Sequence, residues 1–426
     1  MATKKSRVRF APSPTGLMHL GNVRTALMNY LFAHQKNGTF VLRIEDTDPQ
    51  RNMDPGAQKI IADLDWLGLS CDEGPGKKGI YGPYFQSERT KLYQEKLKEL
   101  EKKGLIYRCF CTSEELEKKR QQQIALKMPP RYDRTCYNLS ETEIKEKLKK
   151  GIPFIWRMKI DPSQKIEITD LARGTITFDM SNFSDFPLTR QDGSFTFIFA
   201  NGVDDIEMKI THVLRGEDHL TNTANQAVLY LAFDSPLPIF LHLPILCNAE
   251  GKKLSKRDFG FSLQDLKAAG FLPEAIDNYL TIIGGGTFEQ EIMPLDQLIT
   301  ALDFDHIHST GHVRYDVDKL NWINHKWIDC YDPKKLMQAA RPFLEKEYPQ
   351  AAKIDDEKLT DLIQAIKTDL TTLQDVPAAL RFYFKKPTIT KEQITEHIPP
   401  KTAAFIASII EKQLDTIADP EKFVEA

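Results

Sequence analysis

The chain has 426 residues, 41% apolar and 27% charged, with no long polar low-complexity run; this excludes a disordered chain and is too much sequence for one hydrophobic core. A formal net charge of −3 excludes a globally basic nucleic-acid coat, so any RNA or DNA surface must be a local patch. No stretch has the length and apolarity of a membrane span, and the opening "MATKKSRVRF" has no apolar run behind its basic residues, which argues against a secretory signal and for a cytoplasmic address.

In chain order, Val8 and Phe10 predict a short strand that Pro12 ends, "NVRTALMNYLFAHQKNG" predicts a helix stopping at Gly38, and "TFVLRIEDTD" predicts a second strand. Strand, helix and strand in such close succession read as a βαβ unit with a parallel sheet, whose ligands sit at the carboxyl ends of the strands. Asp48 and Pro49 read as the N-cap and first residue of a helix leading into "GAQKIIADLDWLGL". Residues 87 to 150 form Lys/Glu-rich helices around a cysteine-containing break. From 153 to 215 the text is strand-rich, with "PFIWRMKI", "GTITFDM", "SFTFIFA" and "KITHVLRG". A helix at "TNTANQAVLYLAF" and an apolar run, "PIFLHLPIL", precede a loop at 248 to 257, after which the pattern is almost wholly helical. The architecture expected is a parallel α/β domain, interrupted by an insertion near 90 to 195 and followed by helical modules.

Two loops carry the chemistry. "APSPTGLMHLGN", at 11 to 22, is stiffened by prolines and feeds a helix N-terminus, whose free N–H groups and dipole suit a phosphate; His19 and Asn22 add donors and Gly21 permits close approach. A plain turn with a packed histidine has the same composition. "KKLSKRD", ending at Asp258, gathers three lysines and an arginine around Ser255, a mobile cationic loop for a migrating phosphate charge or else a solvated surface.

A third cluster is made of cysteines. The six in the chain are sparse and uneven, unlike a secreted disulfide framework, but Cys109, Cys111 and Cys136 gather near Tyr132. The spacing is compatible with a Zn²⁺ tetrahedron needing a fourth ligand and equally with buried free thiols.

"HLGN" and "KLSKR" resemble the two signature motifs of class I aminoacyl-tRNA synthetases. The longer strings "RFAPSPTGLMHLGNVRTAL", "LRIEDTD", "VDDIEMKITHVLRGEDHLTNT", "KKLSKRDFGFSLQDLKAAGFLPEAIDNYL" and "KLNWINHKWI" are similar, in order from about residue 7 to residue 330, to glutamyl-tRNA synthetases of the bacterial type. The resemblance implies an α/β fold: a Rossmann-type parallel-sheet catalytic domain (1–90 and 196–258) with an inserted α+β acceptor-binding module (91–195), then all-α stem-contact (259–330) and anticodon-binding (331–426) regions. It implies an ATP-dependent ligase joining L-glutamate to tRNA(Glu), working as a monomer with Mg²⁺ and needing tRNA for activation. A glutaminyl enzyme would end in β-barrels instead of helices.

Residue by residue, the resemblance gives His19, Lys253 and Lys256 catalytic roles. ATP falls to His19, Gly21, Asn22, Asp218, Leu246, Lys253, Ser255 and Lys256. Glutamate falls to Arg9, Ala11, Ser13, Glu45, Phe197, Asn201 and Arg215. Guanidinium forks suit its carboxylates and Glu45 its ammonium, although Arg215 has acidic neighbours in Glu217 and Asp218, and Glu45 precedes a helix start. Phe197, in "FTF", stands before a strand leading to the Asp-Asp pair, where the family commonly has tyrosine. Some members carry Cys-x-Cys with Tyr-x-x-x-Cys in the insertion, which implies structural Zn²⁺ on Cys109, Cys111, Tyr132 and Cys136. Family members usually continue past the position of Ala426 through a further helical unit, which leaves open whether tRNA(Gln) is also or instead charged. A non-catalytic RNA-binding paralogue, or the relative that glutamylates a modified tRNA base, are the rival readings.

Overall fold

In the computed structural model, residues 5–48, 52–255, 258–285, 288–307 and 313–385 are described, with 399, 401, 402, 404–406 and 408. Strand β1 (Arg7–Phe10) runs parallel to β2 (Thr39–Leu42), and α1 (Leu20–Gln35) crosses between them. Leu20, Val23, Leu27 and Leu31 line one face of α1 at helical spacing and are fully buried, and Met28 and Phe32 bury much of the rest. The helix ends where Gly38 passes under Ser6; a Cβ there would lie 2.6 Å from the Ser6 carbonyl oxygen, so the turn requires glycine.

The next helix, α2 (Gln58–Trp66), starts later than its sequence suggests. Asp48 lies outside it and Pro49 outside the described residues. The capping carboxylate is Asp54, whose Oδ2 accepts from the N–H groups of Lys59 (3.0 Å) and Ile60 (3.4 Å), because Pro55 and Gly56 interrupt the chain before that point.

Helix α3 (Thr90–Lys102) leads into β3 (Ile106–Cys109), which pairs antiparallel with β4 (Ile155–Met158). Between them lie α4 (Ser113–Ala125) and α5 (Glu141–Lys149), each started by a reciprocal capping box, Thr112 with Glu115 and Ser140 with Glu143. The hairpin β5 (Lys165–Asp170) and β6 (Gly174–Asp179) follows, and then α6 (Phe197–Glu207).

Helix α6 overturns one expectation. The aromatic alternation in "SFTFIFA" suggests a strand, but only Phe195 bridges, to Thr189, and from Phe197 onward the chain is helical. Phe199, Val203 and Ile206 fall on one buried face at spacings of four and three, so the helical period wins over the local β-propensity.

Strand β7 (His212–Gly216), α7 (Leu220–Ala232) and β8 (Ile239–Leu243) make a second βαβ unit, parallel in register from His212↔Ile239 to Gly216↔Leu243. The sheet order is β6-β5-β8-β7, with β5 joined parallel to β8 at Asp170↔Phe240. On the other side, the Thr211 N–H donates to the Arg7 carbonyl oxygen at 3.0 Å and the Arg7 N–H to the Thr211 hydroxyl at 2.8 Å, which sets β1 beside β7. The carboxyl ends of β1, β2, β7 and β8 thus open on the same side, as a doubly wound parallel sheet requires.

The short β9 (Leu246–Cys247) pairs parallel with β10 (Val313–Arg314), and α8 (Leu263–Ala268), α9 (Pro273–Gly285), α10 (Leu295–Ala301) and α11 (Val317–Cys330) complete this unit, residues 1–332 with 371–374. A second unit, 333–370 with 375–426, is helical where described. There α12 (Pro333–Glu347) and α13 (Asp356–Ile366) bury Leu336, Met337, Ala340, Leu344, Leu359 and Ile363. Among the described residues no helix is long and apolar enough to cross a membrane.

Candidate active site

At the carboxyl ends of the strands lies a cavity of about 1110 Å³. The residues expected for glutamate (Arg9, Ala11, Ser13, Glu45, Phe197, Asn201 and Arg215) all line it, and so do His19, Gly21, Asn22, Asp218, Leu246, Lys253 and Ser255. Lys256 lies outside the described residues.

The loop at 11 to 19 is held by its backbone. Glu45 N–H donates to the Pro12 carbonyl at 3.0 Å and Met53 N–H to the Pro14 carbonyl at 2.8 Å. His19 caps α1, its Nδ1 accepting from the Asn22 N–H at 3.3 Å, and a Cβ on Gly21 would touch the imidazole at 3.0 Å. The segment that follows "KLSKR" docks here: Leu20 N–H donates to Phe261 O at 2.9 Å, Leu263 N–H to Met18 O at 2.9 Å, and the Phe261 ring stacks on His19 at 5.4 Å. Burial, helped by the Lys253 ammonium, lowers the His19 pKa, so the ring is neutral at pH 7.

At this end Lys253 Nζ donates to Asp218 Oδ2 at 3.1 Å. Burial, the largest single effect, raises the Asp218 pKa, but the hydrogen bond from Lys253 together with the charges of His219 and Lys253 outweighs it, and the net shift is downward. Ser255 is turned by Asp258, whose Oδ2 accepts from the Ser255 N–H (2.8 Å) and Oγ (2.9 Å), while Asp258 Oδ1 accepts from Asn248 Nδ2 at 3.1 Å. The acidic neighbours of Arg215 are engaged elsewhere, Glu217 with Arg173 and Asp218 with Lys253.

The other end is a buried ionic network that motif reading only half disclosed. Arg43, fully buried, donates through NH1 to Asp205 Oδ1 (2.6 Å) and NH2 to Glu45 Oε1 (3.1 Å), with Nε 3.7 Å from Asp204 Oδ2. Arg9 Nε donates to both Asp205 oxygens (3.1 and 3.2 Å), and Arg89 Nε to Asp204 Oδ1 (2.6 Å). Asn201 Nδ2 donates to Glu45 Oε1 at 2.5 Å and itself accepts from Gln226 Nε2 at 2.7 Å. Glu45 therefore serves this network and not a helix start. Burial raises its pKa against the pull of Arg43, whereas in Asp205 the attraction of Arg9 and Arg43 overcomes burial and lowers it.

Arg9, Arg43 and Arg89 thus face Asp204, Asp205 and Glu45, three charges against three. Arg215 is the surplus beside this network; Arg24, on the cavity wall and 2% exposed, is a second buried guanidinium there, with NH1 on the Pro244 carbonyl oxygen at 2.7 Å and Nε and NH2 unpartnered among the described residues. Arg215 is 5% exposed, lines the cavity, forms no ion pair among the described residues, and leaves Nε and NH1 without a hydrogen-bond partner. Burial and then the nearby Arg9 bring its pKa down to about 9, as expected of a cation waiting for an anion.

Phe197 opens α6 against the cavity, its ring 5.5 Å from His219. The sequence did not single out Arg24, Arg43, or Thr223 and His242, which are buried behind Arg215; Arg24, Arg43 and Thr223 sit inside the family-like strings, where only the fold turns them inward.

The cysteine cluster lies away from the cavity. The Sγ atoms of Cys109, Cys111 and Cys136 fall within 4.8 Å of one another, all buried, and the Tyr132 hydroxyl is 3.2 Å from Cys109 Sγ and 3.9 Å from Cys111 Sγ. Cys136 holds the Cys109 thiol down to about 4, while burial raises Cys111. Three soft donors and a phenol oxygen converging in one buried spot fit a structural Zn²⁺.

Residues 5–322 match the family model of class I tRNA synthetases (E and Q), catalytic domain. The chain belongs to the class I tRNA synthetases (E and Q). Within this family it is 39% identical over 390 residues to a glutamate–tRNA ligase of Finegoldia magna, covering 89% of this chain and 80% of that one. It is 41% identical over 388 residues to glutamate–tRNA ligase 2 of Syntrophus aciditrophicus, covering 91% and 79%. Its fold superposes on the crystal structure of a glutamate tRNA ligase from Elizabethkingia meningosepticum in complex with its amino acid, with a TM-score of 0.85 and 34% identity, over 96% of this chain and 86% of that one.

Proposed function

We propose that the protein is a glutamate–tRNA ligase, which activates L-glutamate with ATP and transfers it to the 3′ end of tRNA(Glu). One observation carries the substrate: Arg215 is a buried positive charge without a counter-anion, beside a network otherwise neutral. Glutamate, with two carboxylates and one ammonium, brings the missing negative charge.

In this reading Arg9 and Arg215 hold the carboxylates and Glu45 the ammonium, with Ser13 and Asn201 as hydrogen-bonding neighbours. Ala11 and Phe197 wall the amino-acid end. His19, Gly21, Asn22, Asp218, Leu246 and Ser255 receive ATP, which enters with Mg²⁺. The α-carboxylate of glutamate attacks the α-phosphorus, the bond to the β-phosphate breaks, and pyrophosphate leaves; a tRNA ribose hydroxyl then attacks the acyl carbon and AMP leaves. No protein nucleophile takes part. The protein's share is alignment and charge, with Lys253 and Lys256 meeting the phosphate charge as it moves.

Cys109, Cys111, Tyr132 and Cys136 would hold Zn²⁺, which when bound cross-links the insertion between β3 and β4. Residues 91–195 are assigned to the acceptor end of tRNA, 259–330 to its stem and 331–426 to the anticodon, in a cytoplasmic monomer. The test is charging of separate tRNA(Glu) and tRNA(Gln) transcripts with labelled glutamate. Glutamyl-tRNA(Glu) is expected; charging of tRNA(Gln) alone or as well would revise the tRNA, and charging of neither would remove the ligase reading.

A further inference from the structure

We infer that a buried chain of hydrogen bonds, Asp170–His242–Thr223, positions the Arg215 guanidinium for its carboxylate, so that His242 and Thr223 are positioning residues for amino-acid recognition. The inference rests on the reading of Arg215 as the carboxylate-binding cation.

The chain follows from the sheet. Asp170 ends β5, His242 lies on β8 and Arg215 on β7, and His242 and Arg215 are register partners on adjacent parallel strands. Neighbours in register project to the same face, and Thr223, one turn into α7, covers that face. Arg215 NH2 donates to Thr223 Oγ1 at 2.7 Å, Thr223 Oγ1 lies 2.8 Å from His242 Nε2, and His242 Nδ1 lies 2.6 Å from Asp170 Oδ2. All four side chains are buried.

The direction of each bond is set by chemistry. Asp170 offers oxygens to N–H donors from Ala172, Arg173 and the His242 backbone, so it is an acceptor for Nδ1–H as well. With Nδ1 protonated, Nε2 of the neutral ring is a bare acceptor. Burial lowers the His242 pKa despite Asp170, which favours the neutral ring. The Thr223 hydroxyl has two acceptors in reach, His242 Nε2 at 2.8 Å and the His219 carbonyl oxygen at 3.2 Å; with its hydrogen on the nearer one, Nε2, a lone pair is left for Arg215, which can only donate.

The consequence is a guanidinium tied down at NH2 with Nε and NH1 unpartnered among the described residues. Phe240, stacked on His242 at 5.7 Å and 10°, places its ring 6.0 Å from the same guanidinium. Without the tether a long side chain would have to be ordered by each incoming substrate, at the cost of its rotamer freedom.

The experiment is tRNA-supported ATP–pyrophosphate exchange on the full chain, with glutamate and ATP varied separately. Thr223→Val, which keeps the shape and removes the hydroxyl, should raise the KM for glutamate about tenfold and leave the KM for ATP within about twofold. Thr223→Ser should restore the wild-type value. His242→Gln should weaken glutamate by a similar factor, and the double variant Thr223→Val/His242→Gln should be no worse than the weaker single, as expected for links of one chain. If Thr223→Val fails to fold, His242→Gln and Thr223→Ser carry the same comparison. Unchanged glutamate KM in Thr223→Val or His242→Gln, alongside a raised value in Arg215→Ala, overturns the inference alone. An unchanged value in Arg215→Ala overturns the reading of Arg215 and the inference with it.

Discussion

Lys253 Nζ donates to Asp218 Oδ2 at 3.1 Å, so the ammonium assigned to the moving phosphate charge rests on a carboxylate at the rim of the same cavity. Their side chains are 63% and 46% exposed, and an exposed pair of this kind contributes about 0.2–1 kcal/mol to folding. Lys253→Ala should therefore leave the melting temperature nearly unchanged while slowing glutamate activation by about 10²–10³-fold. Pyrophosphate exchange close to wild type in this variant would take Lys253 out of the mechanism.

Phe197 presents a hydrocarbon edge where the family commonly offers a hydroxyl. Phe197→Tyr should add one hydrogen bond at the amino-acid end and lower the KM for glutamate by about twofold to tenfold, matching a net bond of roughly 0.5–1.5 kcal/mol. Steady-state kinetics decide it; an equal or higher KM would mean that the tyrosine oxygen finds no partner here.

The thiol cluster predicts a metal and a stability contribution confined to the insertion. Native protein purified without chelator should contain close to one zinc per chain by elemental analysis, and Cys109→Ser should lose it. Limited proteolysis should then open the stretch between Cys111 and Cys136 first. Protein without zinc, and no change in cleavage on mutation, would identify the cysteines as packed thiols.

Burial, and secondarily Lys36, lowers the His212 pKa from 6.5 to about 4. The unfolded chain therefore binds a proton in this window that the folded one refuses, and stability falls as pH drops from 6.5 towards 4. Buried Asp277 works in the opposite direction, since burial raises its pKa. The informative quantity is thus a difference: the loss of melting temperature between pH 7.5 and pH 5 should be smaller in His212→Gln than in wild type. Equal losses would show that His212 protonates freely in the fold.

The elements that could be read in advance are those whose pattern is local. The helix at Leu20–Gln35 shows its buried face at regular spacing and its end at Gly38, and β1 and β2 carry the brevity and apolarity of buried strands. Among the site residues, those of "HLGN" open helix α1 behind a proline-stiffened loop, and Lys253 and Ser255 stand in a loop whose composition advertises a ligand. Elsewhere the signal was tertiary. "SFTFIFA" carries β-propensity, and only the partners of Phe199 and Val203 across the core make it helical. Asp54 caps α2 because Pro55 and Gly56 turn the chain back, a geometry no spacing rule foresees. Strand β5 went unnoticed because half of "KIEITD" is charged, although its residues alternate exposed and buried, and His242 looked like one polar residue in an apolar run. Its meaning depends on Asp170, seventy-two residues away.

Arg43 ties together Glu45, from the same stretch just beyond β2, with Asp204 and Asp205 from α6, and through them Arg9 and Arg89. For anyone wishing to move this pocket to another protein, the two ends of the cavity are unequal. The end proposed for phosphate is two loops and a helix start, each a contiguous stretch that can be grafted as a piece. The amino-acid end is distributed over distant segments whose charges cancel only as a set. Carrying over Arg9, Glu45 and Arg215 without Arg43, Asp204 and Asp205 would bury uncompensated ions in the recipient's interior, so change at this end must come in concerted steps.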